Sequence, residues 1–269
     1  MKQIDLDDIK QIELNILLEF DTFCKEHNLK YMLAYGTLLG AIRHKGFIPW
    51  DDDIDVCMPR DDYEKLYELL KGKKIKERYR LISYRDNSAI YSFFKIVDDH
   101  TVANEVMVNS GEQLGLWIDI FPIDGCPEDK KKASRLLKKA VFCRRLINLS
   151  NCRIGTGTTK WKAILKIPVA LFGRLIDSRK VAKHIDDLPQ KYNVNSSTCV
   201  ASFQGCDGEK EQMPSSFLET IEVEFETHMF PATKEWDYYL TSLYGNYMEL
   251  PPEDKRVQHS MVAYYKDKE

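Results

Sequence analysis

Residues 49–58, PWDDDIDVCM, place four carboxylates within five positions: Asp51, Asp52, Asp53 and Asp55. Like charges this close repel, and a carboxylate drawn into a core without a partner is costly. Apolar residues follow at once, so the stretch is not a solvated acidic loop. Strand alternation sets Asp53 and Asp55 on one face and Ile54 and Val56 on the other, the two carboxylates about 7 Å apart along the backbone. Asp52 then points away from Asp51 and Asp53. Two carboxylates aimed the same way can converge on a hard cation. Mg2+ (or Mn2+) takes oxygen ligands and borrows some of them from substrate phosphates. A third carboxylate from another strand would complete a one- or two-metal site. Asp119, alone among apolar residues in GLWIDIFPID (115–124), is the candidate, and Asp51 is a candidate outer ligand. The structural alternative for the pair is an Asx turn ahead of the helical RDDYEKLYELLK.

Phosphate contacts are sought upstream, in AYGTLLGAIR, where Gly36 and Thr37 fall between a strand and a short helix. Backbone N–H groups at a helix start bind phosphate, and glycine permits close approach; a plain turn is the alternative. Arg43 can meet a phosphate or pair with the acids themselves, and His44 beside it reads as a surface histidine. Lys95, in FFKIVDD, is a cation inside an apolar strand and needs a partner; a phosphate is one option. Trp50 reads as packing. Arg256 and His259 follow a Pro-Pro turn, where nucleotide or acceptor phosphate competes with a solvated basic turn as their reading.

These residues need elements to hold them. Residues 5–27 carry Ile9, Ile12, Ile16, Phe20 and Phe23 at helical spacing. Strands are expected at 30–35, 53–58, 79–84, 91–97, 101–108, 115–124, 198–203 and 221–226. Helices are expected at 37–46, after Pro59, over a long basic region of roughly 128–188 interrupted near 153–159, and near 233–243. The order indicates an α+β, or mixed α/β, core with a helical, basic appendage. One domain over 1–269 is expected.

Composition bounds the rest. The chain has 269 residues, 43% hydrophobic and 30% charged, with a net charge of -3; this is ordinary globular composition. Between Lys130 and Lys183 sixteen Lys and Arg face one acid, Asp177. That asymmetry suggests either a solvated basic face or contact with an anionic membrane surface through 130–183. No nucleic-acid motif accompanies it, so no nucleic-acid partner is expected. Seven scattered cysteines without a C-x-x-C pair read as free thiols of a reducing compartment. The acidic N-terminus lacks a signal-peptide pattern, and the most apolar run, AILKIPVALFGRLI (163–176), is broken by Lys166 and Pro168. The expected location is the cytoplasm, with peripheral contact at the inner membrane face.

A strand, Gly-Thr, a helix, a strand bearing Asp-x-Asp and a later strand bearing Asp together resemble the nucleotidyltransferase fold of the DNA polymerase β type. YGTLLGAIRHKGFIPWDDDIDVCM resembles the signature of the LicD family, GLWIDIFPIDG its middle motif, and YGNYMELPPEDKRVQH (244–259) its C-terminal motif. The resemblance runs from about residue 20 to 260, except for the basic middle. It implies a nucleotidyltransferase core over about 20–126, completed by 198–260, with a basic helical insertion at about 127–190. It implies Mg-dependent transfer of phosphocholine, or a similar phospho-alcohol, from a CDP-alcohol donor to a sugar hydroxyl of a bacterial surface glycan, releasing CMP. Relatives in the fukutin group move ribitol phosphate. Asp53, Asp55 and Asp119 would then be catalytic and, with Asp51, metal-holding. Gly36, Thr37, Arg43, Lys95, Arg256 and His259 would bind substrate or phosphate. Two rivals stay open: a true nucleotidyltransferase using an NTP on a protein, RNA or small molecule, and a catalytically dead glycan-binding scaffold.

Overall fold

The computed structural model describes residues 2–105, 114–151, 173–205, 207–256 and 261–266. The first helix, α1 (Leu6–Glu26), starts where the Asp5 carboxylate accepts from the Asp8 N–H at 2.9 Å. Asp7 and Asp8 sit in its first turn and Lys25 in its last, as the helix dipole favours. Its apolar stripe, Ile9, Ile12, Ile16 and Phe20, is buried. Then follow β1 (Met32–Leu33), α2 (Tyr35–His44), β2 (Asp55–Pro59), α3 (Arg60–Leu70), β3 (Lys74–Ile75), β4 (Tyr79–Ile82), β5 (Phe94–Asp98), β6 (Thr101–Glu105) and β7 (Trp117–Gly125). The second half adds α4 (Lys130–Ser150), α5 (Ser178–Asp187), β8 (Cys199–Ala201), β9 (Met213–Pro214), β10 (Thr220–Phe225), β11 (His228–Thr233), α6 (Trp236–Tyr244) and β12 (Met261–Tyr265).

Ten strands form one mixed sheet in the order β10-β11-β1-β2-β7-β5-β4-β3, with β8 and β9 attached at the end of β7. Only β11–β1 and β2–β7 are parallel among its pairs. The expected mixed α/β class is what the chain adopts, with six α-helices among the described residues. β5 and β7 are buried along almost their whole length, which explains their near-continuous apolar sequence. On one face, α3 stacks Tyr63 on Phe94 of β5 at 3.9 Å, and α1 covers the same central strands. α6 packs through Tyr239 on Tyr35 and Phe217, and beside the end of β7 lie the helices α4 and α5. These two share a smaller core of Leu137, Ala140, Ile147, Ala182 and Ile185 with Phe203. The main core unites α1, α2, α3, α6 and the sheet.

β6 pairs with β12 in a separate two-stranded sheet. The sequence reading did not foresee β12, β3, β9 or β11. The strand expected at 101–108 is seen over 101–105, and residues 106–113 lie outside the described residues, as do 152–172 with the expected interruption near 153–159. Cys24, Cys57, Cys126, Cys143 and Cys199 are free thiols, as expected. Among the described residues no helix is long and apolar enough to cross a membrane.

Candidate active site

Three adjacent strands lay the chemistry out in a row. In the parallel β2/β7 pair Asp55 stands opposite Asp119, and in the antiparallel β7/β5 pair Asp119 stands opposite Lys95. Neighbouring strands are about 4.8 Å apart, so the three side chains rise together from one face. The alternation continues backward from β2. Asp51, Asp53 and Asp55 line the same cleft as Asp119, a space of 330 Å³, while Asp52 is buried and absent from its lining.

The cleft is strongly acidic. Burial, then the charges of Asp53, Asp119 and Asp51, push the Asp55 carboxyl well above the usual carboxylate range, with Lys95 acting against them. Behind the cleft floor, Glu13 of α1 is 1% exposed. Its carboxyl is raised by burial and then by Asp53, Asp52, Asp119 and Asp55. Among the described residues no three His, Cys, Asp or Glu side chains are already gathered tightly enough to hold an ion. The four carboxylates share a cleft wall rather than a point, the spread that mutual repulsion favours. Their chemistry, hard oxygen donors throughout, suits Mg2+ or Mn2+ rather than a soft metal. Gly36 leaves room for this arrangement: a Cβ there would sit 2.8 Å from Asp51 Oδ2.

Several expected phosphate contacts take other roles. Thr37 is buried, and its Oγ1 accepts from the Asp55 N–H at 2.8 Å. Its hydroxyl ties α2 to β2, while Gly36 alone of the pair lines the cleft. Lys95 is 2% exposed and its ammonium donates to Asp119 Oδ1 at 2.6 Å. Trp117, Tyr91 and Phe93 surround that ammonium at 4.2, 4.6 and 5.4 Å from their ring centroids. The cation is enclosed behind Asp119 by an acid and three rings. Arg43 turns outward from the row, donating from Nη1 to Tyr247 O at 2.6 Å and from Nε to His44 Nε2 at 2.9 Å; it clamps the C-terminal segment. Arg256 lies over Trp50 at 5.0 Å and donates to Pro251 O at 3.0 Å. His259 lies outside the described residues.

The cleft also holds residues that sequence reading missed. Phe121, two positions after Asp119, faces the same way, and strand alternation was a sufficient signal. Tyr35 precedes Gly36 and carries φ 44°, a strained value for a tyrosine at a helix start. The strain is held by an edge contact of its ring on Phe121, centroids 5.1 Å apart, and by its hydroxyl donating to Glu211 Oε2 at 3.0 Å. Burial raises the Glu211 carboxyl to about 7. Tyr244, at the end of α6, and Asp207 also line the cleft, and Arg144 enters it from α4 as its one cation among the described lining residues. Arg144 lies 5.8 Å from the Phe93 ring centroid and donates to Gln204 O. Nothing in the sequence of α4 distinguishes it from the other seven Lys and Arg there.

A larger cavity, 890 Å³, opens near the other end of β2 and β7. Its charges are matched internally. Arg60 donates to Asp124 at 2.7 Å and to Asp186 at 2.8 Å, and Arg85 pairs with Asp186 at 2.8 Å and with Glu64 at 2.5 Å.

Residues 28–143 match the family model described as "LicD/FKTN/FKRP, nucleotidyltransferase domain"; this span contains α2, the aspartate run, Lys95, Asp119 and all but the end of α4. The "Lipopolysaccharide cholinephosphotransferase LicD" of Haemophilus influenzae is 33% identical over 271 residues, covering 98% of this chain and 99% of that protein. An uncharacterised protein of Rickettsia prowazekii is 47% identical over 45 residues, 17% of each chain. With a relative matched end to end and the family's domain carrying Asp51, Asp53, Asp55 and Asp119 of the cleft, the chain belongs to the LicD family of transferases.

Proposed function

We propose that this protein transfers phosphocholine from CDP-choline to a sugar hydroxyl of a bacterial cell-surface glycan of the lipopolysaccharide class, releasing CMP. The observation that carries the reading is the row of Asp55, Asp119 and Lys95 across three strands, with Asp51 and Asp53 extending it along the cleft wall. A wall of hard carboxylates facing one Arg is a poor place for a phosphate unless a divalent cation joins it. Asp53 and Asp55, with Asp51 and Asp119, are the residues to hold Mg2+ or Mn2+. A bound ion would supply Lewis-acid neutralisation of negative charge on the donor phosphates. Lys95 holds one oxygen of Asp119 at 2.6 Å and so orients that side chain. The sugar oxygen forms a bond to the phosphorus that carries choline, the bond from that phosphorus to the CMP oxygen breaks, and a cleft carboxylate takes the hydroxyl proton. Arg144 is placed to meet the phosphate of departing CMP. Tyr35, Phe121 and Tyr244 offer aromatic surface suited to a trimethylammonium group. We place this chemistry on a nucleotidyltransferase-type core of about 20–126 completed by 198–260, with 127–190 as an insertion. The end-to-end relative, a lipopolysaccharide cholinephosphotransferase by name, supports the choice of alcohol and acceptor.

The test is release of CMP from CDP-choline, CDP-ethanolamine, CDP-glycerol and CDP-ribitol, with Mg2+ or Mn2+ and a lipopolysaccharide acceptor, alongside a panel of NTPs. CMP from CDP-choline alone, absent in Asp53→Asn/Asp55→Asn, is the expected result. Another CDP-alcohol as sole donor would change the alcohol. Pyrophosphate from an NTP would move the protein to the nucleotidyltransferase reading.

A further inference from the structure

The helix that lends Arg144 to the cleft is built against its own stability. α4 contains eight Lys and Arg and no acid. Lys130, Lys131 and Lys132 fill its first turn, where the helix dipole disfavours cations, and no residue within the helix offers an opposite-charge partner at i+3 or i+4. α1 shows the opposite, favourable arrangement, so the chain can place charges that way. A surplus that costs helix stability calls for a partner outside the helix.

The surplus is organised. Ala133, Leu137, Ala140, Cys143 and Ile147 form the buried stripe. Lys131, Arg135, Lys138, Phe142 and Arg145, spaced four, three, four and three apart, form the opposite one and are all exposed. At about 100° per residue they fall within an arc of roughly 80°, along about 21 Å of helix. At the centre Phe142 is 60% exposed, and Lys138 and Arg145 flank it one turn to either side. Gly173 lies against the Leu149 carbonyl near the end of the helix, and two residues on Leu175 is 82% exposed. Lys138 does pair with Glu209 at 3.4 Å, but both side chains are more than half exposed, and such a pair holds little. The hollow beside Phe142 includes Asp207, which also lines the catalytic cleft.

We propose that this face of α4 docks on an anionic lipid bilayer, its cations on headgroup phosphates and Phe142 in the headgroup–acyl boundary. Charge complementarity selects the occupant's sign. The exposed phenyl ring selects a surface with an apolar layer beneath the phosphates over a soluble polyanion, which would leave Phe142 in water. Docking there sets the cleft, through the shared Asp207 wall, beside glycans anchored in the same bilayer. The inference goes beyond the proposed transfer reaction and does not depend on which alcohol is moved.

The test is sedimentation of the full chain with vesicles of pure phosphatidylcholine and with vesicles containing phosphatidylglycerol, at low and physiological salt. CMP release from CDP-choline, with Mg2+ and a soluble lipopolysaccharide-derived oligosaccharide acceptor, is followed in parallel without vesicles. Binding to the anionic vesicles only, weakened by salt, is expected. Lys131→Gln/Arg135→Gln/Lys138→Gln/Arg145→Gln should weaken it by about 100-fold or more, and Phe142→Ser by about 10-fold, while thermal stability is equal to or above the parent's in the quadruple variant and CMP release without vesicles stays as in the parent. No binding to anionic vesicles, or binding unchanged in the quadruple variant, overturns the proposal. So does soluble polyphosphate competing fully while Phe142→Ser binds as the parent does. Loss of CMP release in the parent counts against the transferase reading and leaves vesicle binding to be judged by itself.

Discussion

The parallel strands β2 and β7 carry acids at both ends, and the two ends are wired differently. At the start, Asp55 and Asp119 join Asp51 and Asp53 around a cleft whose described lining offers one cation, Arg144. At the finish, Asp124 and, from α5, Asp186 meet Arg60 and Arg85 in short, buried pairs. The larger volume lies at the second end and the unbalanced charge at the first. At the paired end burial raises the Asp124 carboxyl while Arg60 acts against it, and Arg60 and Arg85 hold the Asp186 carboxyl below its ordinary value despite burial; at the other end the Asp55 carboxyl is pushed well up, with four acids around one Lys. Cavity size therefore points to a framework and charge imbalance points to chemistry.

Substitutions separate the two ends. The largest effect is expected from Asp55→Asn: turnover should fall at least about 10³-fold, some 4 kcal/mol of barrier, with thermal stability equal to or above the parent because a buried, repelled carboxyl is removed. Arg60→Met should do the reverse. It strands Asp124, 1% exposed at its side chain, and leaves Asp186 to Arg85 and Tyr84, and should cost about 3–5 kcal/mol of unfolding free energy in urea titrations.

Third in size is a pH effect from Glu211, whose carboxyl rises from 4.5 to about 7. A raised carboxyl binds its proton more tightly when folded, so its contribution is complete below about pH 4.5 and is lost as pH rises toward 7. The swing is ~3 kcal/mol. Glu211→Gln should flatten that part of the stability–pH curve, gaining on the parent at pH 8 and not at pH 4; an unchanged curve would contradict the assignment. The smallest effect is expected from Thr37→Val, which leaves the Asp55 N–H without its acceptor and should cost about 1–2 kcal/mol together with a measurable loss of turnover.

Much of the acid end was legible in the sequence. Period-two alternation separated Asp51, Asp53 and Asp55 from Asp52, and the isolation of Asp119 among apolar residues marked its strand. What alternation could not supply was the neighbour across the sheet. Lys95 and Asp119 lie 24 residues apart in sequence and meet only because β5 and β7 pair in one register, so the lysine's partner was left open. Thr37 and Arg43 fit a phosphate-binding pattern by local sequence, but tertiary contacts with Asp55 and Tyr247 claim their polar groups. The paired end was less legible still: Arg60, Asp124 and Asp186 come from three distant segments. Among the strands, β11 was hidden by Pro231, and the short β3 and β9 are too brief for any periodic signal.

The central claim is that the acid end holds a divalent ion for chemistry on a CDP-alcohol. Titration of Mn2+ into the full chain, read by the electron paramagnetic resonance of the free ion and repeated with CDP-choline present, tests it most directly. The account predicts Mn2+ binding that tightens with CDP-choline in the parent and in Arg60→Lys, and that is lost in Asp53→Asn/Asp55→Asn. Equal Mn2+ binding in the parent and the double variant would contradict it.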